Sequence, residues 1–231
     1  MTFTVVATSA DRRWSGVATA TCTLAVGASV PAVAPGVGAV ASQAWTNRSL
    51  RSLGLDALRD GRTPQEAIRV MRTADDGFGY RQVAVVGASG ATASHTGEEV
   101  TGWAGSIAGD GWVVLGNYLV GPPVLEAMAT VMRSEGEDFG ALLVRALVAG
   151  QAAGGDSRGR QSAALALAQH GEIDAAPPDL WCDLRVDDDR TDPAAELARL
   201  YAVHLAEEAD LHREVHGRGV GITAASESPN R

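Results

Sequence analysis

Apolar positions along this chain fall into two periods, and the switches between them predict its elements. Residues 2–8 alternate and read as a strand, residues 9–14 are polar and turn-like, and alternation resumes over 15–24, so the chain opens with a hairpin. Residues 25–35 are small and broken by Gly and Pro. Residues 36–44 form a further strand of mostly small side chains, which lets another backbone or a ligand come close. The period then lengthens. Leu50, Leu53, Leu55 and Leu58 predict a helix over 49–60, stopped by Gly61. Thr63-Pro64-Gln65-Glu66 carries a cap, a first-turn proline and an acid in the third helical position, and predicts a helix to about Ala74.

Strands follow over 81–86 and 91–95, joined at Gly87-Ala88-Ser89-Gly90, with another over 112–119. Residues 122–133 and 139–153 read as helices, 162–168 and 181–186 as strands, and Asp192-Pro193 opens a long helix to about Val215. Hairpin neighbours imply antiparallel sheets, and paired helices imply outer layers. The fold class expected is α+β, with helices covering sheets. One domain over 1–216 is expected, with a small, polar, disordered tail over 217–231.

Composition narrows the function classes. The chain has 231 residues, 45% of them hydrophobic, and a net charge of -9. Without a basic block, nucleic acid is not an expected partner. All the cationic side chains are Arg, which removes Schiff-base and other lysine-dependent chemistry. Cys22 and Cys182 make no disulfide framework. The N-terminus lacks a signal pattern, and no apolar run is long enough for a bilayer, so a cytoplasmic setting without membrane association is expected. No histidine falls at a recognised zinc spacing. His212 and His216, four apart, read as part of a solvated helix end. No metal or cofactor is expected; the oligomeric state stays open.

The candidate chemistry begins at Thr2. A small residue after the initiator favours removal of Met1, which leaves a hydroxyl and a free α-amine on one residue. Such an amine has a pKa of about 7.7–8.0, so its neutral fraction can accept the hydroxyl proton and make Thr2 a nucleophile. An ordinary edge-strand Thr is the competing reading. Asn117, after Gly116 at a strand end, could donate its amide to an oxyanion or sit in a turn.

Gly154-Gly155-Asp156-Ser157-Arg158-Gly159-Arg160-Gln161 is the densest polar constellation. Asp156 could hold an amine, Arg158 and Arg160 could grip a carboxylate, with Gln161 beside them, and Ser162 could bind the terminal amine or relay its proton. Gln43 and Asn47 flank Trp45 and could line a pocket beside Thr2. His95 could form a second polar wall, although a strand-end His is more often a structural hydrogen-bonder. Cys22 reads as a small buried side chain, and Asp187-Asp188-Asp189 as a solvated acidic turn.

Several stretches together resemble one bacterial family. They include Thr2-Phe3-Thr4-Val5-Val6-Ala7, Gly36-Val37-Gly38-Ala39-Val40-Ala41-Ser42-Gln43-Ala44, Arg81-Gln82-Val83, Trp103-Ala104-Gly105, Gly116-Asn117, the 154–164 loop and Asp183-Leu184-Arg185-Val186-Asp187-Asp188. The chain is identified as a member of the domain-of-unknown-function family "ten twenty-eight", grouped with Ntn-hydrolase-like folds. That resemblance implies a four-layer αββα sandwich and descent from N-terminal-nucleophile hydrolases, without implying a substrate. Members usually carry Ser-Lys where this chain has Thr21-Cys22, so either an Arg supplies the positive potential here, or the family does not use that Lys in this way, or the chemistry is lost or altered. The usual His after Val-Asp-Asp is Asp189. The expected activity is cleavage of a C–N amide-type bond in a small, carboxylated metabolite. Acyl transfer or ring closure on the same nucleophile, and a non-catalytic binding protein that kept the fold, are the alternatives.

Overall fold

The opening hairpin anchors the larger sheet of this computed structural model, which describes residues 2–134, 138–171 and 180–217. β1 (Thr2–Thr8) pairs antiparallel with β2 (Trp14–Thr21), Thr2 opposite Thr21. The turn between them holds Arg12 at φ 61, and the Arg12 guanidinium grips Asp110 at 2.8 Å. β3 (Pro31–Ala34) and β4 (Gly38–Ala44) follow, then α1 (Ser49–Arg59) and α2 (Pro64–Ala74). α2 starts where the cap predicts: Glu66 N donates to Thr63 Oγ1, and the Glu66 carboxylate accepts from Thr63 N at 2.8 Å. Next come β5 (Arg81–Gly87), β6 (Thr92–Thr96), β7 (Trp103–Gly109) and β8 (Trp112–Leu119). α3 (Pro123–Met132), α4 (Phe139–Ala152), β9 (Ser162–Gln169), β10 (Cys182–Val186) and α5 (Pro193–Gly217) complete the described chain.

Among the described residues the strands form a six-stranded sheet, ordered β10-β9-β2-β1-β8-β7, and a four-stranded sheet, ordered β3-β4-β5-β6. Their pairings are antiparallel. The mixed α+β class with antiparallel sheets is therefore the one the periodicity implies.

Alternation explains the packing. Phe3, Val5 and Ala7 of β1 turn toward Met128, Leu143 and Leu147 of α3 and α4. Val6 turns the other way and packs with Ala39 and Ala41 of β4 and Ala84 and Val86 of β5, so the two sheets face each other. On the far side of the smaller sheet, Val40, Val83 and Val85 pack on Leu50 and Met71 of α1 and α2. Each large side chain buried in these cores stabilises the fold by roughly 1.5–3 kcal/mol before chain entropy.

The pattern misses two strands. β3 is four residues long, starts with Pro31 and lies at a sheet edge, where a missing N–H is tolerated. β7 is the other sheet's edge, and its Gly-rich, half-exposed sequence gives no apolar alternation. β2 also ends at Thr21 rather than 24, and Leu24 stands 64% exposed in the turn beyond it. The smaller-sheet strand starts at Gly38 rather than 36, because Gly36 takes φ 69 in the turn from β3. α5 runs to Gly217, and the tail expected beyond it lies outside the described residues. No helix among the described residues is long and apolar enough to cross a membrane.

Candidate active site

Strand register brings distant residues into one row across the larger sheet. Ser162 of β9 lies opposite Thr21 of β2, Thr21 opposite Thr2 of β1, and Thr2 opposite Asn117 of β8. The row shares the parity of Val6, so it faces the smaller sheet at one end of the inter-sheet layer. Thr2 is 4% exposed and Asn117 1%. The Thr2 hydroxyl donates to Thr21 Oγ1 at 3.3 Å.

A polar network fills the gap between the sheets beside this row. Thr4 Oγ1 lies 2.7 Å from Thr19 Oγ1 and donates to Gln43 Oε1 at 2.6 Å. Gln43 Nε2 donates to Gln82 Oε1 at 2.8 Å and reaches the carbonyl of Thr2 at 3.4 Å. Gln82 Nε2 donates to the carbonyls of Gly116 and Gly105 at 2.8 and 3.1 Å. Two carbonyls can only accept, so that end of Gln82 is its NH2 and the other end must accept. Asn117 therefore turns its own NH2 to Gln82 Oε1, at 2.9 Å. Asn117 Oδ1 is left buried without a hydrogen-bond partner. The side chain expected to donate to an oxyanion thus presents an acceptor.

Asp156 closes the end of the row. Its backbone bridges Leu119, the last residue of β8, while its carboxylate accepts from Cys22 N, just past β2, at 3.0 Å. Since β1 lies between β8 and β2, Asp156 spans the place where β1 begins. It is 3% exposed and pairs with Arg158 at 2.9 Å. Cys22 Sγ lies 3.5 Å from the Arg158 carbonyl, so the thiol, expected to be buried, is only partly covered. Ser162 donates to the carbonyl of Thr23 at 2.6 Å and accepts from Val26 N at 3.1 Å, so its hydroxyl pins the turn after β2.

The other expected residues are placed elsewhere. Arg160 pairs with Asp192 at 2.9 Å, and Gln161 donates to Asp188 at 3.0 Å, both toward the segment before α5. Asn47 is drawn to Asp75, at 3.1 Å, which also pairs with Arg81 at 2.8 Å. Arg81 holds the Asp75 carboxyl below its ordinary range. His95 lies opposite Val83, on the helix-covered side of the smaller sheet, stacked on Phe78 at 4.5 Å. Burial and then the neighbouring Arg72 lower its pKa. Neither Asn47 nor His95 joins the Thr2 row.

A pocket of about 190 Å³ opens next to the row, lined by Ala44, Trp45, Val100, Thr101, Asn117 and Tyr118. Ala44 and Tyr118 are held at φ 72 and φ 53, a left-handed conformation that costs of order 1–3 kcal/mol in a non-glycine residue and clusters at functional sites. Gly102, at φ 72, leaves room for the Tyr118 ring, which a Cβ there would meet at 2.9 Å. Sequence reasoning missed Gln82, Thr4, Thr19 and Thr21. For the three threonines the signal was a polar side chain at every second position, at the start of β1 and the end of β2, on strands otherwise apolar. No group of His, Cys, Asp and Glu suited to a metal ion occurs among the described residues.

A six-stranded and a four-stranded antiparallel sheet combined with helices make this a mixed α+β protein, with a polar row at one end of the larger sheet. The model for the "Family of unknown function (DUF1028)" matches residues 2–197, and the chain belongs to that family. It is similar to the crystal structure of protein SPO2555 from Silicibacter pomeroyi, of the same family, with 30% sequence identity, a TM-score of 0.78 and coverage of 87% of this chain and 88% of that one. No curated protein matches the chain.

Proposed function

We propose that this protein is an N-terminal-nucleophile amidohydrolase with the four-layer αββα architecture of that superfamily, cleaving a C–N amide-type bond in a small metabolite. The observation that carries the reading is the position of Thr2: the first residue of a central strand, with Asp156 reaching across that strand's beginning from β8 to β2. The order of the three apolar cores, helix–sheet, sheet–sheet and sheet–helix, supports the layer arrangement.

In this reading, removal of Met1 frees the Thr2 amine. Thr2 Oγ1 attacks the amide carbonyl carbon while the α-amine takes the hydroxyl proton. The C–N bond breaks, that proton passes to the departing nitrogen, and an ester on Thr2 remains. Water then attacks the ester carbonyl, the amine accepting its proton. The carboxylic acid leaves and the proton returns to Thr2 Oγ1. Thr21 orients the Thr2 hydroxyl. Arg158 sits on Asp156 beside Cys22, its charge offset by that carboxylate. Both forks expected to bind a carboxylate are engaged with carboxylates of the chain itself, Arg158 with Asp156 and Arg160 with Asp192, so the reading no longer requires a carboxylated substrate.

Mass spectrometry tests it. The purified protein should lack Met1, and acid-quenched incubations with small N-acyl amino acids and lactams should show an acyl adduct on the Thr2 peptide. Retained Met1 in active native protein overturns the mechanism.

A further inference from the structure

Among the described residues the two sheets end in four strands, β10 and β7 in the larger and β3 and β6 in the smaller. An open strand edge invites another strand, and folded proteins guard such edges with proline, charge or shortness. Two of these edges are guarded. β3 has four residues and begins at Pro31, and β10 carries Asp183 and Arg185, paired at 2.8 Å. β7 runs for seven residues and β6 for five without a proline, an acid, a lysine or an arginine. The two unguarded strands lie together, with Ser94 Oγ of β6 3.0 Å from Ser106 Oγ of β7.

The backbone of β7 is set to take a partner. Gly109 pairs with Trp112 across a two-residue turn, and the closing pair of such a turn is hydrogen-bonded. Gly109, Ile107 and Gly105 therefore turn their backbone groups to β8, and Ser106 and Ala108 turn theirs outward. The register shift between Trp103 and Gly105 sets one residue of β7 against two of β8, so the extra residue is in β8 and β7 stays regular.

The strand is also complementary to itself. Antiparallel pairing centred on Ser106 sets Ala104 opposite Ala108, and Trp103, 36% exposed, opposite Gly109, which has no side chain to obstruct the indole. α3 lies over β7, Leu125 beside Gly105. A twofold axis through Ser106 runs the two α3 helices antiparallel, and turns the exposed Glu126 of each copy toward the exposed Arg133 of the other. The side is large enough. At ~3.3 Å per residue β7 is about 23 Å long, and α3, β7 and β6, each about 10 Å deep, make a face of roughly 700 Å². Stable interfaces take about 800 Å² per partner.

We infer that a second copy of this chain pairs antiparallel with β7 about a twofold axis at Ser106, joining the two larger sheets into one. The inference does not rest on the hydrolase reading.

The test uses the full chain in solution. Sedimentation velocity and light scattering should give twice the mass of one chain. Hydrogen exchange resolved to single amides should show Ser106 and Ala108 protected in the dimer. Ala108→Lys places a charge on the edge, and Ser106→Pro removes an N–H that β8 does not use. Each change enters twice across the axis, and each should weaken association at least about tenfold. In the folded Ala108→Lys monomer Ser106 should exchange freely while Ile107 stays protected by β8. If either variant fails to fold, exchange at Ser106 and Ala108 in the unaltered protein decides alone. A chain that stays monomeric overturns the inference and leaves the edge to a strand of another protein. A dimer that survives both substitutions, or that leaves the Ser106 and Ala108 amides open, overturns it as well.

Discussion

Asn117 Nδ2 lies 2.9 Å from Gln82 Oε1, and this bond ties β8 of the larger sheet to β5 of the smaller one. The same Gln82 oxygen accepts from Gln43 of β4, and its nitrogen reaches back to the Gly116 carbonyl on β8. One fully buried side chain thus ties its own strand β5 and its neighbour β4 to β7 and β8 of the other sheet, next to the residue proposed as nucleophile.

Removing that side chain should be costly. Gln82→Leu leaves the amide groups of Gln43 and Asn117 facing a hydrocarbon, and two backbone carbonyls lose a donor. At about 1–3 kcal/mol per unsatisfied buried group, partly relieved by relaxation, the expected loss is on the order of 2–4 kcal/mol. Urea unfolding at neutral pH measures it; a loss below about 1 kcal/mol would mean that the network is not closed as described.

The sequence carried the scaffold better than the site, and the reasons are local. The β1–β2 hairpin, the Thr63 cap and the Asp192-Pro193 start of α5 each follow from a few neighbouring residues. β7 did not, because an edge strand half in solvent needs no apolar face. Thr2, Asn117 and Ser162 share a row through pairings of β1, β2, β8 and β9, and no local pattern fixes that order. Arg160 and Gln161 were read with Asp156 because they adjoin it in sequence. The chain turns between them, so they pair with Asp192 and Asp188 instead. Gln82 was hidden because a single glutamine in an apolar strand shows its value only when the facing sheet is known.

Thr2→Ala should leave the fold nearly unchanged and abolish ester formation. Its hydroxyl bond to Thr21 is long, at 3.3 Å, and its loss should cost no more than about 1 kcal/mol. Thr2→Ser should keep an acyl adduct, since the hydroxyl and the amine remain on one residue. Cys22→Ala should be nearly silent in both stability and adduct formation. An adduct that persists in Thr2→Ala and vanishes in Cys22→Ala would move the nucleophile to the end of β2.

His95 should titrate below the ordinary histidine value of 6.5. Burial is the main cause. Arg72 is the second: its Nη2 lies 3.3 Å from Nδ1, where the added proton would sit, and Glu98 only partly opposes it. The unfolded chain then binds the proton more readily than the folded one. Between the folded midpoint and pH 6.5, stability should rise with pH, and the contribution is lost as pH falls through that interval. His170, also lowered by burial, acts in the same direction. NMR titration of the imidazole resonances checks the midpoint, and His95→Gln should flatten part of the pH dependence. A His95 midpoint at or above 6.5 would contradict the placement against Phe78 and Arg72.

Asp156→Asn separates charge from geometry at the proposed nucleophile. The neutral amide can still offer an oxygen to Cys22 N, but it releases the Arg158 guanidinium, which now makes its ion pair at 2.9 Å. That guanidinium is about a third exposed, so water stabilises it after release, and the stability cost should stay near 1 kcal/mol. Asp156→Ala also removes the acceptor for Cys22 N, and the backbone at the end of β2 should loosen. Hydrogen exchange of the Cys22 amide should therefore be faster in Asp156→Ala than in Asp156→Asn. If Asp156 and Arg158 also set the field at the Thr2 amine, both variants should shift the pH profile of acyl-adduct formation, because that profile follows the amine's own titration. A changed exchange rate with an unchanged pH profile would make Asp156 a clip for the strand ends and nothing more.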